Sequence, residues 1–388
     1  MSRKKTGKTG VPMDVFLTSP WIPAEWIRAH GLRPHGIWSA GDFHPGTWPL
    51  SGGVCPFAEA AVRFAEARTD SAVIFSTACD QLRRGFDVVA FRGQLQSPIS
   101  GKGACAGRDS VLECGSPLPL LHTSNTDPKR QRAGAVQNLA AISTIREEPR
   151  AFLFNLPATW QTTTAKEIFR SELERLGQFL LAIGGHAPSP EMLRQEMMQS
   201  SRTRKRLLES ASAGSPHGFA EAVARFHWDG TFSPSPPVAP ANQIPLALVG
   251  GPFLASHWKL LDEIEAAGGR VVLNATESGE RGLCPAFELD AATRSPFDAL
   301  VHGCCDNIVD VFQRPNTRLY SWLKPRLASR HTRGIVLWHF TGCDLWRAEV
   351  QTLREVFGLP VLLLEADEAA GISPRDVNRL QAFVETLK

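Results

Sequence analysis

The sequence predicts an α/β fold with two parallel-sheet domains and a helical segment between them. Short apolar runs alternate with amphipathic stretches near both ends of the chain, which is the pattern of strands joined by crossover helices. Two distant segments, Val73–Arg84 and Ile335–Glu349, also share one order: an apolar run, a turn of small residues and a Cys-Asp pair. Each domain is therefore expected to carry a cysteine at the end of a strand. Open α/β sheets bind ligands at the edge formed by the carboxyl ends of their strands.

The predicted domains follow from changes in composition along the chain. We expect a basic tail over 1–12, an N-terminal α/β domain over 13–160, a helical segment over 161–232, a proline-rich linker over 233–244 and a C-terminal α/β domain over 245–388. Residues 93–149 are rich in Gly, Ser, Pro and charge and interrupt the alternation of strands and helices. We expect a disordered insertion there, which carries Cys105 and Cys114.

The individual elements are predicted from hydrophobic periodicity and from residues that begin or end helices. In the N-terminal domain the order is strand 13–18, helix 23–30, strand 32–38, helix 55–68, strand 71–77 and strand 151–156. The helical segment contains helices 163–181, 190–210 and 218–227. In the C-terminal domain we predict strands 245–250, 270–274, 335–340 and 361–365 with helices 257–267, 318–327, 346–357 and 374–387.

Composition excludes several classes of function. The net charge of +3 is too small to indicate nucleic-acid binding. No apolar run approaches the roughly 18 residues of a membrane span, and no signal peptide precedes Met13, so we expect a cytoplasmic protein with no membrane partner. Its eight cysteines are then expected to be free, redox-active or metal-bound. No C-x-x-C pair is present, which argues against a zinc ribbon.

Three cysteines form the main candidate site. Cys55, Cys79 and Cys343 each lie at a predicted helix start or strand end. Three thiolates with an open fourth position suit an iron–sulfur cluster better than zinc, because soft sulfur ligands select such clusters. The alternative is that all three are ordinary buried cysteines. The adjacent Cys304 and Cys305 are either packed residues or the source of a spare ligand.

Two further residues are candidates for catalysis. His339 precedes the turn at Cys343 and is a possible proton donor, although a core histidine is an equally valid interpretation. Glu25 follows the start of the first helix and could face the same crevice, or it could simply interact with the helix dipole. No Gly-x-Ser-x-Gly motif indicates a serine nucleophile.

Several motifs, taken in order, resemble those of one enzyme superfamily. They are Pro23-Ala24-Glu25-Trp26-Ile27, Cys55-Pro56-Phe57, Thr77-Ala78-Cys79-Asp80-Gln81-Leu82-Arg83-Arg84 and Cys343-Asp344-Leu345-Trp346-Arg347-Ala348-Glu349. With these motifs the chain resembles the cluster-bearing, D-component type subunits of the 2-hydroxyacyl-CoA dehydratase/benzoyl-CoA reductase superfamily. The resemblance implies two flavodoxin- or Rossmann-like domains and a 4Fe-4S cluster held by Cys55, Cys79 and Cys343.

The resemblance also implies a function and partners. Such a subunit pairs with a homologous or identical second subunit and receives electrons from a separate ATP-dependent iron–sulfur activator. The electron passes to an acyl-CoA, where a ketyl radical eliminates the hydroxyl group, or to an aromatic ring. Two alternatives remain open: a reductase of small molecules with a double-cubane 8Fe-9S cluster at a dimer interface, or a non-catalytic paralogue serving as a partner subunit. The insertion, which falls after Cys79-Asp80 and before the next strand, departs from the superfamily pattern and is compatible with an inactive copy.

Overall fold

The N-terminal domain is built on a four-stranded parallel sheet. The computed structural model describes residues 12–43, 54–95, 150–211, 214–234, 236, 242–287, 295–366 and 372–388. Within these ranges the first sheet has the order β2-β1-β3-β4. Its strands are β1 (Asp14–Leu17), β2 (Arg33–Gly36), β3 (Ala72–Ser76) and β4 (Ala151–Phe154), and its helices are α1 (Ala24–Ala29), α2 (Pro56–Ala67) and α3 (Asp80–Leu95). The part of the expected insertion that follows Leu95 lies outside the described residues.

Three helices follow the first sheet. They are α4 (Thr163–Ala182), α5 (Pro190–Ser210) and α6 (Pro216–Asp229). In α4 the residues Phe169, Leu173, Leu176 and Leu180 recur at helical spacing and are fully buried, which confirms the amphipathic pattern. The side chains of Ser189 and Ser215 accept hydrogen bonds from backbone N–H groups at the starts of α5 and α6, so local sequence fixes where these two helices begin.

The C-terminal domain contains a second four-stranded parallel sheet with the order β6-β5-β7-β8. Its strands are β5 (Ile244–Gly250), β6 (Gly269–Thr276), β7 (Gly334–Phe340) and β8 (Val361–Ala366). Its helices are α7 (Lys259–Ala266), α8 (Pro296–Cys305), α9 (Thr317–Ser329), α10 (Asp344–Phe357) and α11 (Pro374–Thr386). One continuous cluster of buried apolar side chains includes residues of both sheets, and the predicted two-domain α/β fold is confirmed.

Three differences between the predicted and the observed elements have a clear local cause. The second strand stops at Gly36 rather than continuing to Trp38, because the chain turns at Ile37–Ser39 and the Trp38 ring folds over Gly36. A short 3-10 turn, Ala255–His257, precedes α7, which therefore begins two residues later than expected. Helix α8 was not predicted, although its Ser295 cap and Pro296 at the first helical position are a recognisable start signal.

No helix in the described ranges is long and apolar enough to cross a membrane.

Candidate active site

The carboxyl ends of the two sheets meet around a cavity of about 320 Å³. Several connections contribute its wall: the start of α2, the β3–α3 turn, the β7–α10 turn, the loops after β5 and β6, and the segment with Asp310 and Val311. Because carboxyl ends of parallel strands gather at one edge of a sheet, helix starts and polar turns converge there. Apolar side chains make up much of the wall: Phe57, Leu82, Val311, Phe340, Leu345 and Trp346.

The structure brings all three predicted cysteines to this cavity. Cys55 precedes the first residue of α2 and is 8% exposed, Cys79 directly precedes α3, and Cys343 directly precedes α10. Each sulfur therefore lies at a helix N-terminus, where backbone N–H groups such as those of Ala58 and Trp346 hydrogen bond to it. Three connections that are distant in the sequence therefore place a cysteine sulfur at the same cavity.

Burial keeps these thiols protonated. It raises the pKa of Cys55 to about 11, and the neighbouring Cys79 adds to the rise, although backbone N–H groups act in the opposite direction. Burial likewise raises the pKa of Cys343 to about 12, with further increases from Cys55 and Cys79. The pKa of Cys79 is also raised, mainly by burial. Because Cys79 raises the pKa of Cys55 and both raise the pKa of Cys343, the three sulfurs are electrostatic neighbours. A cation entering the cavity would favour their thiolate forms.

One side chain links the three cysteine-bearing segments. Gln81, two residues after Cys79, accepts a hydrogen bond through Oε1 from the backbone N–H of Cys55. Its Nε2 donates to the carbonyl oxygen of Gly342 at 3.4 Å, in the turn that precedes Cys343. Gly342 has φ of +80°, a conformation that suits glycine. The amide of Gln81 therefore ties the N-terminal domain to the C-terminal domain at the site.

Two further carboxyl groups, those of Glu277 and Asp310, also line the cavity. Glu277 follows β6, and its Oε1 accepts a hydrogen bond from Ser19 Oγ at 2.9 Å across the two domains. Burial and the nearby Asp310 raise the pKa of Glu277 to about 8, while Arg281 lowers it. The sequence marks 276–281 as a polar turn at a sheet edge that could face a ligand, and Asp310 is the residue that sequence reasoning missed.

Arg281 fixes the loops that hold these carboxyl groups. It is fully buried, and it forms an ion pair with Asp310. Its guanidinium donates hydrogen bonds to three carbonyl oxygens, those of Ala275 at 3.0 Å, Val309 at 2.7 Å and Gly250 at 2.6 Å. At Gly250 a side chain cannot be accommodated, because a Cβ atom would lie 1.8 Å from the carbonyl oxygen of Trp338. The ends of β5 and β6 are thus held close to the cavity.

The other predicted site residues lie elsewhere. His339 is 1% exposed in β7, its Nδ1 is 2.8 Å from the carbonyl oxygen of Phe340, and it does not line the cavity. Glu25 is 4% exposed and pairs with Arg204 in a second cavity. Their catalytic roles stay predictions. Cys305 is buried outside the cavity, and Cys304 lies beside Cys284 in the second cavity.

The donor set fits a cluster better than a single ion. Among the described residues, no group of three or more His, Cys, Asp or Glu side chains is arranged to hold one metal ion. A four-iron cluster is larger than one ion, so its thiolate ligands stand farther apart. Three soft sulfur donors around an enclosed and largely apolar cavity match such a group. Cys55, Cys79 and Cys343 are the residues that would hold it.

The fold and this cavity define a class of two-domain α/β proteins with a cysteine-lined cleft at the ends of their sheets. A family model described as 2-hydroxyglutaryl-CoA dehydratase, D-component, matches residues 133–387, and the chain belongs to this family. It is therefore a 2-hydroxyacyl-CoA dehydratase-like subunit, and a D-component implies an enzyme with further components. The matched range contains Cys343, whereas Cys55 and Cys79 precede it. No curated protein matches the chain.

Proposed function

We propose that this chain is the iron–sulfur subunit of a 2-hydroxyacyl-CoA dehydratase- or benzoyl-CoA reductase-like enzyme. The observation that carries the proposal is the convergence of Cys55, Cys79 and Cys343 on one enclosed cavity at the ends of both sheets. When bound there, a 4Fe-4S cluster supplies single low-potential electrons for delivery to an acyl-CoA. A homologous or identical second subunit and an ATP-dependent iron–sulfur activator complete the proposed enzyme.

The chain's own residues prepare the cavity for such chemistry. Helix N-termini place N–H groups at the sulfurs, which favours negative charge there and tunes a bound centre. The apolar wall, including Phe57, Phe340 and Trp346, offers water few hydrogen-bonding partners in the cavity. Gln81 keeps the three cysteine segments in register across the two domains.

Glu277 is the proposed proton donor of the cavity. Its carboxyl group keeps a proton near neutral pH because it is buried and lies near Asp310. Since Oε1 accepts the hydrogen bond from Ser19, the proton is assigned to Oε2. A leaving hydroxyl group departs as water only if it receives a proton, and Glu277 Oε2 can deliver one within the cavity.

The test is the iron and sulfide content of protein purified without oxygen. We expect about four irons and about four sulfides per chain, with a broad thiolate-to-iron absorption band. Cys55→Ser, Cys79→Ser and Cys343→Ser should each lose most of the iron. Cys305→Ser is the matched control, because this cysteine is buried but lies outside the cavity. Full iron in all three cavity variants, or no iron in the parent protein after anaerobic reconstitution, would contradict the proposal.

The same measurement separates the alternatives. A double-cubane 8Fe-9S centre at a homodimer interface has the same content of about four irons per chain as a 4Fe-4S cluster, so its roughly nine sulfides per dimer, against about eight for two separate clusters, distinguish it. A non-catalytic partner subunit without a cluster gives no iron. Acyl-CoA turnover that depends on the activator protein and ATP then tests the dehydratase activity itself.

A further inference from the structure

The second cavity, the one that contains Arg204, also brings two cysteine side chains together. Its volume is about 50 Å³. Cys284 lies in the loop that follows β6, and Cys304 is the penultimate residue of α8. Both residues line this cavity and are partly exposed, and neither lines the larger cavity. They are therefore a pair of cysteines that the proposed function does not use.

The loop with Cys284 packs tightly against α8. As a thiol, Cys284 donates a hydrogen bond from Sγ to the carbonyl oxygen of Gly303 at 3.2 Å, and Gly303 directly precedes Cys304. Asn307 Nδ2 donates to the same oxygen at 2.8 Å, so this carbonyl keeps a donor when Cys284 loses its proton. A Cβ atom at Gly303 would lie 2.5 Å from the Phe287 ring, so glycine allows the loop to approach the helix closely. The side chains of Cys284 and Cys304 hydrogen bond to each other, which places their sulfurs within reach of a bond.

The surroundings of the pair make its two thiols unequal. The hydrogen bond from Cys304 lowers the pKa of Cys284, and the charge of Arg204 lowers it further, although burial and Glu25 act in the opposite direction. The same hydrogen bond, together with burial, raises the pKa of Cys304 well above its usual value. Cys284 is therefore the more acidic thiol, and Cys304 keeps a proton beside it.

This arrangement suits oxidation chemistry. A thiolate is the form that attacks a peroxide, and a neighbouring thiol then resolves the oxidised sulfur. Redox-active cysteines accordingly combine acidity, access and an adjacent second cysteine. Cys305 lacks both acidity and access: it is 2% exposed, it lies outside the cavity lining, and burial raises its pKa to about 11. The structure therefore distinguishes Cys304 from Cys305, which the sequence leaves alike.

We propose that Cys284 and Cys304 form a redox-active dithiol that a hydroperoxide converts into a disulfide. With hydrogen peroxide, the Cys284 thiolate attacks one oxygen, a sulfur–oxygen bond forms, and the oxygen–oxygen bond breaks. The departing hydroxide takes the proton that Cys284 released and becomes water. The sulfur of Cys304 then attacks the sulfenic acid, so that a sulfur–sulfur bond forms, the sulfur–oxygen bond breaks, and hydroxide leaves with the Cys304 proton as a second water. Two electrons pass from the sulfurs to the peroxide, and an external dithiol reverses the change.

The test uses the full chain without added iron and hydrogen peroxide as the probe. About one equivalent of peroxide is added at pH 7 and then removed with catalase. Free thiols are alkylated in denaturant, and tryptic peptides are analysed by mass spectrometry. We expect a disulfide between peptides 282–294 and 295–318, which contain Cys284 and Cys304. Fragmentation between Cys304 and Cys305 should place the bond on Cys304, and dithiothreitol should restore both free thiols.

Matched variants locate the reacting sulfurs. Cys304→Ser removes the resolving thiol, so the bridge should be lost and dimedone should trap sulfenic acid on Cys284. Cys305→Ser is the control and should form the bridge at the rate of the parent. In the parent, Cys284 should be oxidised at least about tenfold faster than Cys305, because the Cys305 thiol stays protonated. If Cys304→Ser does not fold, the position of the bond in the parent and in Cys305→Ser decides the result.

Several results would overturn the proposal. They are a bridge from Cys284 to Cys305, a bridge that persists in Cys304→Ser, sulfinic acid on Cys284 without a bridge, and a pair that stays reduced while other cysteines react or none does. Failure of the cluster proposal would leave the expected result unchanged, because the protein is used without iron and the two cavities share no described residue.

Discussion

Arg281 is the residue whose loss should damage the C-terminal half of the cysteine cavity most. Replacing it with methionine keeps an unbranched chain and removes the guanidinium. The change breaks the ion pair with Asp310, whose side chain is 7% exposed, and removes donors from three carbonyl oxygens. It also removes a cation positioned 4.8 Å from the centroid of the Trp346 ring.

The magnitude follows from these contacts. Breaking a buried ion pair by removing one partner costs about 3–5 kcal/mol, because the remaining charge is left uncompensated. Losing the contact with Trp346 adds about 1 kcal/mol. Each carbonyl without its donor adds roughly another 1 kcal/mol, although such terms do not add fully. We therefore expect Arg281→Met to lower the free energy of unfolding by at least about 4 kcal/mol, a large share of the stability of an ordinary domain.

Urea unfolding of the iron-free protein, followed by tryptophan fluorescence at pH 7, measures this loss. Arg379→Met is the control, because Arg379 forms a similar pair with Asp376 at 2.9 Å but is 42% exposed, and its loss should cost less than about 1 kcal/mol. Adding Asp310→Asn to Arg281→Met should recover about 2 kcal/mol, since the unpaired charge is then gone. Equal losses in Arg281→Met and Arg379→Met, or no recovery in the double variant, would refute the reasoning.

Two further predictions concern acid stability and the link between the domains. Because burial lowers the folded-state pKa of His227 to about 3 from an ordinary 6.5, the folded protein binds fewer protons than the unfolded chain between these values, and stability falls on acidification through that window. His227→Phe should remove up to about 1.4 kcal/mol per pH unit of that loss, measured by urea unfolding at pH 7, 6 and 5; identical pH profiles would contradict it. Gln81→Glu keeps the acceptor for Cys55 N–H but sets a carboxylate oxygen against the carbonyl of Gly342, so reconstituted protein should lose iron to a chelator about tenfold faster. The exposed Gln178→Glu is its control, and equal iron loss in both variants, with unchanged electron paramagnetic resonance spectra, would count against a positioning role for Gln81.

The position of Glu25 illustrates how the site differs from its sequence-based expectation. The carboxylate was expected at a helix start, and it does lie in the first turn of α1. Its partner, however, is Arg204, which is 179 positions away on a helix that reads as mostly polar. Hydrophobic periodicity indicates which face of a helix is buried, but it does not identify which polar residue will be enclosed with another.

The sequence by itself determined the elements and the edge at which the site lies. Strands appear as continuous apolar runs because parallel sheets are covered on both faces, and helix starts are set by nearby capping residues such as Ser189 and Ser215. Cys79 and Cys343 lie in the short turns that follow strands β3 and β7, so parallel topology alone places each at the carboxyl edge of its sheet. These are local properties of short segments, and the sequence records them directly.

Only the tertiary structure decided which distant groups meet. Facing the two sheet edges toward each other joined the three cysteines, set Glu277 beside Ser19 and placed the Gln81 amide between Cys55 and Gly342. It also enclosed Arg204, whose Nε and Nη2 have no acceptor among the described residues. Such pairings depend on the docking of whole domains, and the energy of a buried charge or hydrogen bond depends on surroundings supplied by remote parts of the chain. No local pattern of residues encodes those surroundings, which is why the cavities emerge only from the folded protein.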